Sequence, residues 1–274
     1  MRGLTDMLTQ RASAFFAIGF AVVALTVAGS IGAAEADTNG SLTGTWDIVK
    51  VAVDRRDQPH WLYRPDDPRF LGRELVISAE QIRLNDGSAI CARPHWSKRM
   101  TTWGRLLEES FARPPSARTP SKPSPGDFGL KVPAATAVAA YSPACTLTNG
   151  QRSAPPWDRT WFVQQDANSL MMRLGSSALL LLSRRPVGAK PRASFSCANA
   201  VTPTERALCA SVGLAALDRS VAAAWRDALT RQPGQTERLR NEQAEWLKAR
   251  DACGADGACL GDQMQRRIDA LVQE

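Results

Sequence analysis

The feature that most constrains this chain is the stretch Ser196–Glu274, which holds four of the six cysteines: Cys197, Cys209, Cys253 and Cys259. They bracket runs of helical periodicity separated by turn signals. A helical unit of that length has a thin core and commonly needs covalent or metal reinforcement. Cysteines at helix ends can supply the covalent kind.

The helices are legible from their punctuation. Thr202-Pro203-Thr204-Glu205 is a start signature: threonine cap, proline at the first helical position, glutamate at the third. It predicts a short helix reaching about Cys209 and ended by Gly213. A second helix is expected from Leu214 to about Thr230, with Leu214, Leu217, Val221, Ala224, Trp225 and Leu229 on one stripe. Pro233-Gly234 breaks it. A third follows Gln235-Thr236 to Ala252, with Leu239, Gln243, Trp246, Leu247 and Arg250 facing one way. Gly254 suits its C-terminal end. Asp256 then caps a last helix whose inner face carries Cys259, Leu260, Met264, Ile268 and Leu271. The expected product is a bundle of three main helices behind a short leading one.

At the other end, Arg2 and Arg11 precede an apolar run, Ala12 to Ala34, that closes on Ala34-Glu35-Ala36. A positive end, an apolar centre and a small-residue cleavage site are the layout of a secretory signal, assigned here to residues 1–36. The expected location is periplasmic or secreted, with no stable membrane anchor after cleavage. In an oxidising compartment six cysteines read as three disulfides, for which fifteen pairings exist. Cys197–Cys209, Cys253–Cys259 and Cys91–Cys145 are favoured because each lies within one proposed domain. A crossed Cys197–Cys253 link stays open.

Residues 40–184 read as a β-rich domain. Leu42–Val53, Arg73–Ala79 and Gln81–Asn85 are predicted strands, followed by a helix over Thr102–Phe111 with Trp103, Leu106, Leu107 and Phe111 on one face. Asp54–Arg69 is charged and proline-bearing, a loop. Residues 113–127 (RPPSARTPSKPSPGD) cannot form a core face and are expected to be an exposed, flexible loop. Ala135–Tyr141, Arg159–Gln164, Ser169–Leu174 and Ala178–Ser183 are four more strands, with turns at Asp166-Ala167-Asn168 and Gly175-Ser176. Short strands with one lateral helix indicate an antiparallel barrel or sandwich. Residues 185–193 (RPVGAKPRA) form a linker to a helical domain, 194–274. The fold class is α+β, in two domains.

Two resemblances follow. The order SFSC, TPTERALC, LAALDRSVAAAW, EQAEWLKARDAC and then Cys259 resembles the LprI-type lysozyme-inhibitor domain of exported bacterial proteins. The pattern falls on Cys197, Thr202, Glu205, Cys209, Leu217, Asp218, Trp225, Gln243, Trp246, Arg250, Asp251, Cys253 and Cys259. It implies a disulfide-stapled helical fold and a protein partner, a lysozyme or another cell-wall enzyme. Gly44-Thr45-Trp46 is similar to the Gly-x-Trp opening of lipocalin-type barrels. That resemblance implies a carrier of a small apolar ligand, with a late-strand arginine, Arg173 or Arg184, packed on the tryptophan.

The remaining chemistry is sparse. His60 and His95 are the only histidines, and neither stands in a recognisable catalytic setting. Cys91 and His95 are spaced like metal ligands, but one of each makes a poor site and Cys145 offers a disulfide instead. The expectation is therefore a binding protein: no catalytic residues, no metal, no cofactor, and no nucleic acid among its partners. Trp225 and Trp246 lie on apolar stripes, which favours packing over anchoring a partner. Arg250, Asp251 and Asp218 read first as ion-pairing or helix-end residues. The net charge is +7, yet from Arg192 onward eleven Lys/Arg balance eleven Asp/Glu. Lysozymes of the common animal type are strongly basic, so an inhibitor gains from an acidic face. Glu237, Glu242 and Glu245 are the candidates for one.

Overall fold

Eight antiparallel strands follow one another around a closed barrel in this computed structural model. The structure describes residues 42–273 apart from 57–61, 85–89, 114, 119, 147–156, 158 and 176–177, so the proposed signal segment and His60 lie outside the described residues. The strands are β1 Gly44–Val53, β2 Glu74–Ile77, β3 Gln81–Leu84, β4 Ile90–Thr102, β5 Ala137–Thr146, β6 Phe162–Asp166, β7 Ser169–Leu174 and β8 Ala178–Arg184. Each pairs with the next, and β8 returns to β1 over a register running from Trp46↔Arg184 to Val53↔Ala178. Closure removes the unpaired edges an open sheet would expose.

Alternation sorts the side chains. Trp46, Ile48, Val51 and Val53 of β1 point inward with Leu170, Met172 and Leu174 of β7 and Ala178, Leu180 and Leu182 of β8. A bulge between Ile48 and Lys50 restores the inward phase after the exposed Val49. An eight-stranded barrel is just wide enough for side chains to fill, and these inward positions are buried. The outward set, Ala52, Val138, Ala140, Val163, Met171 and Leu179, is covered by α1 (Trp103–Phe111) through Trp103, Leu106 and Leu107. Thr102 caps that helix, its hydroxyl accepting from Arg105 N–H.

Trp46 is fully buried and donates its indole N–H to Leu42 O at 2.9 Å. Arg184 lies 4.1 Å from its ring centroid and donates to Thr43 O and Ala167 O, each at 2.8 Å. Gly44 sits at φ +143°, where a Cβ would fall 2.6 Å from Arg184 Nη1. The glycine leaves the guanidinium room to lie over the tryptophan. Arg173, the other arginine weighed for that place, is on the outside, over the Phe111 ring at 5.4 Å.

Several expectations are corrected. The sequence reading has seven strands and omits β4, the longest. The segment 113–127 is only partly exposed: Arg113 bridges to Ser121, and a 3-10 turn, Pro125–Phe128, brings Phe128 into the layer beneath α1. Strand β6 starts at Phe162 because Arg159 adopts a left-handed φ of 56°.

The helices are α2 Pro203–Ala210, α3 Val212–Arg231, α4 Thr236–Asp251 and α5 Gly257–Gln273. Ser211, rather than Gly213, divides the first two: its hydroxyl accepts from Leu214 N–H and starts α3, leaving Gly213 inside the first turn. Asp256 accepts from Ala258 and Cys259 N–H and starts α5. Leu208, Leu217, Val221, Leu239, Leu260, Met264, Ile268 and Leu271 form their common core.

The described residues belong to one compact unit, Asp37–Glu274. The loop 64–72 joins barrel to helices. Asp67, fully buried, organises it by accepting from Arg64 N–H, Arg69 N–H and the Arg69 guanidinium. Burial pushes its pKa up, but the Arg69 side chain and the two amides outweigh that and hold it low. From this loop Arg64 pairs with Asp227 at 2.7 Å and donates to Val272 O at 3.0 Å, while Leu71 O accepts from Ser220 Oγ at 2.6 Å. Residue 185 onward is also tied down, since Arg185 bridges Asp47 and Glu74.

The disulfides are Cys91–Cys145, Cys197–Cys209 and Cys253–Cys259, at sequence separations of 54, 12 and 6. In the chain-entropy model the longest loop gives about 4 kcal/mol and the shortest about 2. Replacing Cys91 and Cys145 together by serine is therefore expected to lower unfolding free energy by about 4 kcal/mol, and replacing Cys253 and Cys259 by about 2. Denaturant titration measures both, and an inverted order would contradict the chain-entropy account.

Candidate functional site

The helical part has one cleft where sequence-predicted residues collect. Helices α3 and α4 each pack against α5, and a groove lies between their outer faces. It has a volume of about 540 Å³, and its walls include Glu205, Asp218, Trp225, Gln243, Trp246, Arg250 and Asp251. These come from three helices. Of the other family-pattern positions, Leu217 is in the core and Thr202 works at the start of α2.

Local folding explains each placement. The Thr202 hydroxyl accepts from Glu205 N–H at 3.1 Å, while the Glu205 carboxylate accepts from Thr202 N–H at 3.0 Å and Val201 N–H at 2.8 Å. This reciprocal cap fixes Glu205 at the groove mouth. The amides of Thr202 and Val201, with Arg250 adding a weaker pull, hold its pKa below the ordinary glutamate value. Thr204 Oγ1 donates to Gly254 O at 3.1 Å, tying the start of α2 to the end of α4. Cys197–Cys209 and Cys253–Cys259 clamp the flanking turns.

At the centre is Arg250, 9% exposed. Its guanidinium donates to Asp251 Oδ1 through Nε at 3.0 Å and Nη2 at 2.8 Å, and Nη1 lies 3.9 Å from Asp218 Oδ1. It also lies over the Trp246 ring, 5.5 Å from the centroid. Asp218, 6% exposed, accepts Ser194 N–H at 2.6 Å, which draws the segment before Cys197 onto α3. Trp246 donates to Gln263 O at 3.2 Å, anchoring α4 to α5. Gln243 accepts from Arg267 Nε at 3.0 Å. Trp225 and Trp246 are half-buried: one side packs on the helical core and the other borders the groove. The buried indole N–H of Trp225 has no acceptor among the described residues.

Sequence reasoning missed Ser194 and Phe195 as groove walls, and it treated Leu247 only as a stripe residue. Nothing in their periodicity marks them. The acidic face expected on α4 is altered, since Glu242 pairs with Arg238 at 2.5 Å and Glu245 with Lys248 at 2.8 Å. A local excess of acid lies in the groove instead, where three carboxylates face one guanidinium.

Among the described residues, the barrel offers no comparable cluster. His95 is exposed on β4 opposite Ala144, and Cys91 is bonded to Cys145. Among the described residues, no group of three His, Cys, Asp or Glu is placed to hold a metal ion. Among them, too, no single helix is long and apolar enough to cross a membrane.

Comparison with known families adds one finding. Residues 197–271 match the family model described as Lysozyme inhibitor LprI. The match begins at the first cysteine of the helical part and ends in the last helix, so it spans the whole groove apart from Ser194 and Phe195. No curated protein and no solved structure matches the chain. The barrel thus rests on its own geometry.

The Glu205 cap gives a pH dependence with a definite sign. Because its folded pKa is lowered, its contribution is fully present above the unfolded value, near 4.5, and is lost as pH falls through the folded one. The stability gap between wild type and Glu205→Gln is expected to be widest at neutral pH and to close as pH falls through the lowered folded value. Denaturant unfolding across the range from about pH 3 to about pH 7 measures it, and a constant gap would exclude the ionised cap as its source.

Proposed function

We propose that this chain is an exported, non-catalytic binding protein that restrains a lysozyme or related cell-wall enzyme through its helical region. The observation that carries this reading is the family match over residues 197–271, whose description is that of a lysozyme inhibitor. Two features support it. Glu205, Asp218, Trp225, Gln243, Trp246, Arg250 and Asp251, family-pattern residues from α2, α3 and α4, line one groove, while Leu217 lies in the core. That groove is acidic in a chain of net charge +7, the local polarity that favours association with a basic enzyme.

Export is part of the same proposal. Its support is the charged, apolar and small-residue order of residues 1–36 together with three disulfides, which persist in oxidising compartments. The barrel acts in this reading as a rigid body that carries the helical region. A second reading, a carrier of a small apolar ligand, draws on the closed eight-stranded topology and the Arg184–Trp46 stack. Against it stand the inward positions of the described strands, occupied by buried side chains such as Trp46, Leu75, Phe162, Leu170 and Leu180. Native mass spectrometry of protein from its own host separates the two, because a carrier retains an added small mass.

The inhibitory reading is tested with mature protein beginning at Asp37. Added to a basic animal-type lysozyme acting on cell walls, it is expected to suppress lysis in a saturable way as the two approach equal molarity. Undiminished lysis at a hundredfold excess would sink the reading.

A further inference from the structure

The groove already binds one cation, and it does so within the chain. The Arg250 guanidinium is held between a carboxylate, Asp251, and an aromatic face, Trp246, with Asp218 behind it. This is the chemistry by which proteins commonly recognise arginine and lysine, a planar or point cation set on an indole and paired with carboxylate. The groove holds more of each component than Arg250 uses. Glu205 and the half-exposed Asp251 stand at its mouth, and Asp251 Oδ2 accepts no hydrogen bond among the described residues. Trp225 lines the opposite helix, with an indole N–H that lacks an acceptor among the described residues. A buried donor of that kind is usually satisfied in a functional state.

We propose that this groove is the contact site for the protein partner, and that it receives a cationic side chain of that partner between Trp225 and the Glu205–Asp251 rim. The inference rests on the binding function proposed above and names the chemistry of the site. The partner's arginine or lysine meets two carboxylates not fully consumed by Arg250. Leu247 and Phe195 supply the apolar border that keeps water from the ion pair. Charge complementarity selects this occupant. The groove carries three carboxylates against one guanidinium, so an acidic segment would be repelled where a basic one is drawn in.

The test uses the mature chain and three probes: an arginine-rich peptide, a glutamate-rich peptide of equal length, and a chitin oligosaccharide. The Trp225 indole N–H resonance, assigned by its loss in Trp225→Phe, reports on the groove. The arginine-rich peptide is expected to shift it in a saturable way, and the glutamate-rich peptide to leave it in place. Asp251→Asn is expected to weaken that binding about tenfold, a change typical of losing one charge-pair partner. Leu247→Arg, which sets a fixed cation at the rim, is expected to abolish it while keeping the wild-type unfolding midpoint within a few degrees. No shift with the arginine-rich peptide, or a shift with the oligosaccharide alone, would overturn the groove assignment. Lysis inhibition separates this failure from that of the functional reading. If wild type inhibits and both variants inhibit equally well, the groove inference falls and the function stands. If the groove binds the arginine-rich peptide while lysis is never suppressed, the groove stands and the lysozyme reading falls.

Discussion

A carboxylate taken out of water must find compensation, and the way Asp218 finds it arranges the helical part of this protein. Asp218 lies on α3 at 6% exposure, where an unpartnered charge would be costly. It takes a backbone N–H from Ser194 and the distal contact of Arg250 from α4. Those two partners belong to segments far apart in sequence. The requirement to satisfy one buried charge therefore fixes where the chain enters the helical part and how α4 lies against α3. Arg250 is in turn shared with Asp251 and Trp246. Removing either member of such a pair leaves an uncompensated charge, which is why a network of this kind specifies geometry more strongly than it adds stability.

The same network separates two tasks that the small core could not perform together. Leu260, Met264, Ile268 and Leu271 on α5 provide the apolar surface on which α3 and α4 both pack. The disulfides at the flanking turns restrict the unfolded chain. With those supports in place, the outer faces of α3 and α4 need not close over one another. The result is a polar groove bordered by two half-buried tryptophans, a shape that a bundle relying on apolar burial alone would have filled.

How much of this was legible in the sequence differs by level. Helix existence and most boundaries came through because caps act locally: Thr202 with Glu205, Pro233 and Asp256 each determine their own turn. Gly213 misled because a glycine is a plausible helix end, whereas Ser211 two residues earlier offered a side-chain acceptor that starts the next helix. Strand β4 was illegible for a different reason. Its run from Arg93 to Arg99 carries proline and exposed polar residues and lacks β-branched ones, since most of its side chains face water. Its pairing with β5 is a long-range property that no local pattern announces. The burial of Phe128 beneath α1 is likewise a tertiary fact placed on a segment whose composition reads as loop. Arg173 and Arg184 were equally plausible partners for Trp46 by position. Only the phase of β7 distinguishes them: Leu170, Met172 and Leu174 point inward, while Met171 and Arg173 point outward.

The site was legible as a set of residues and hidden as a surface. Trp225 and Trp246 sit on apolar stripes, which argues for core, and they do pack on the core; the stripe cannot say that each also turns an edge outward. Asp218, Arg250 and Asp251 read as ion-pairing residues, and they are. What a sequence cannot convey is stoichiometry in space. Charge balance over the whole segment, eleven against eleven, hides a local excess of carboxylates, because Arg238 and Lys248 pair with Glu242 and Glu245 of α4 while Glu205 and Asp251 stand at the groove. Screening in water confines the influence of exposed charges to about 10 Å at about 0.1 M salt. A partner approaching the groove therefore responds to its carboxylates more than to the net charge of the whole chain. A basic protein can in this way present an acidic binding site, and the segment's neutrality is no argument against one.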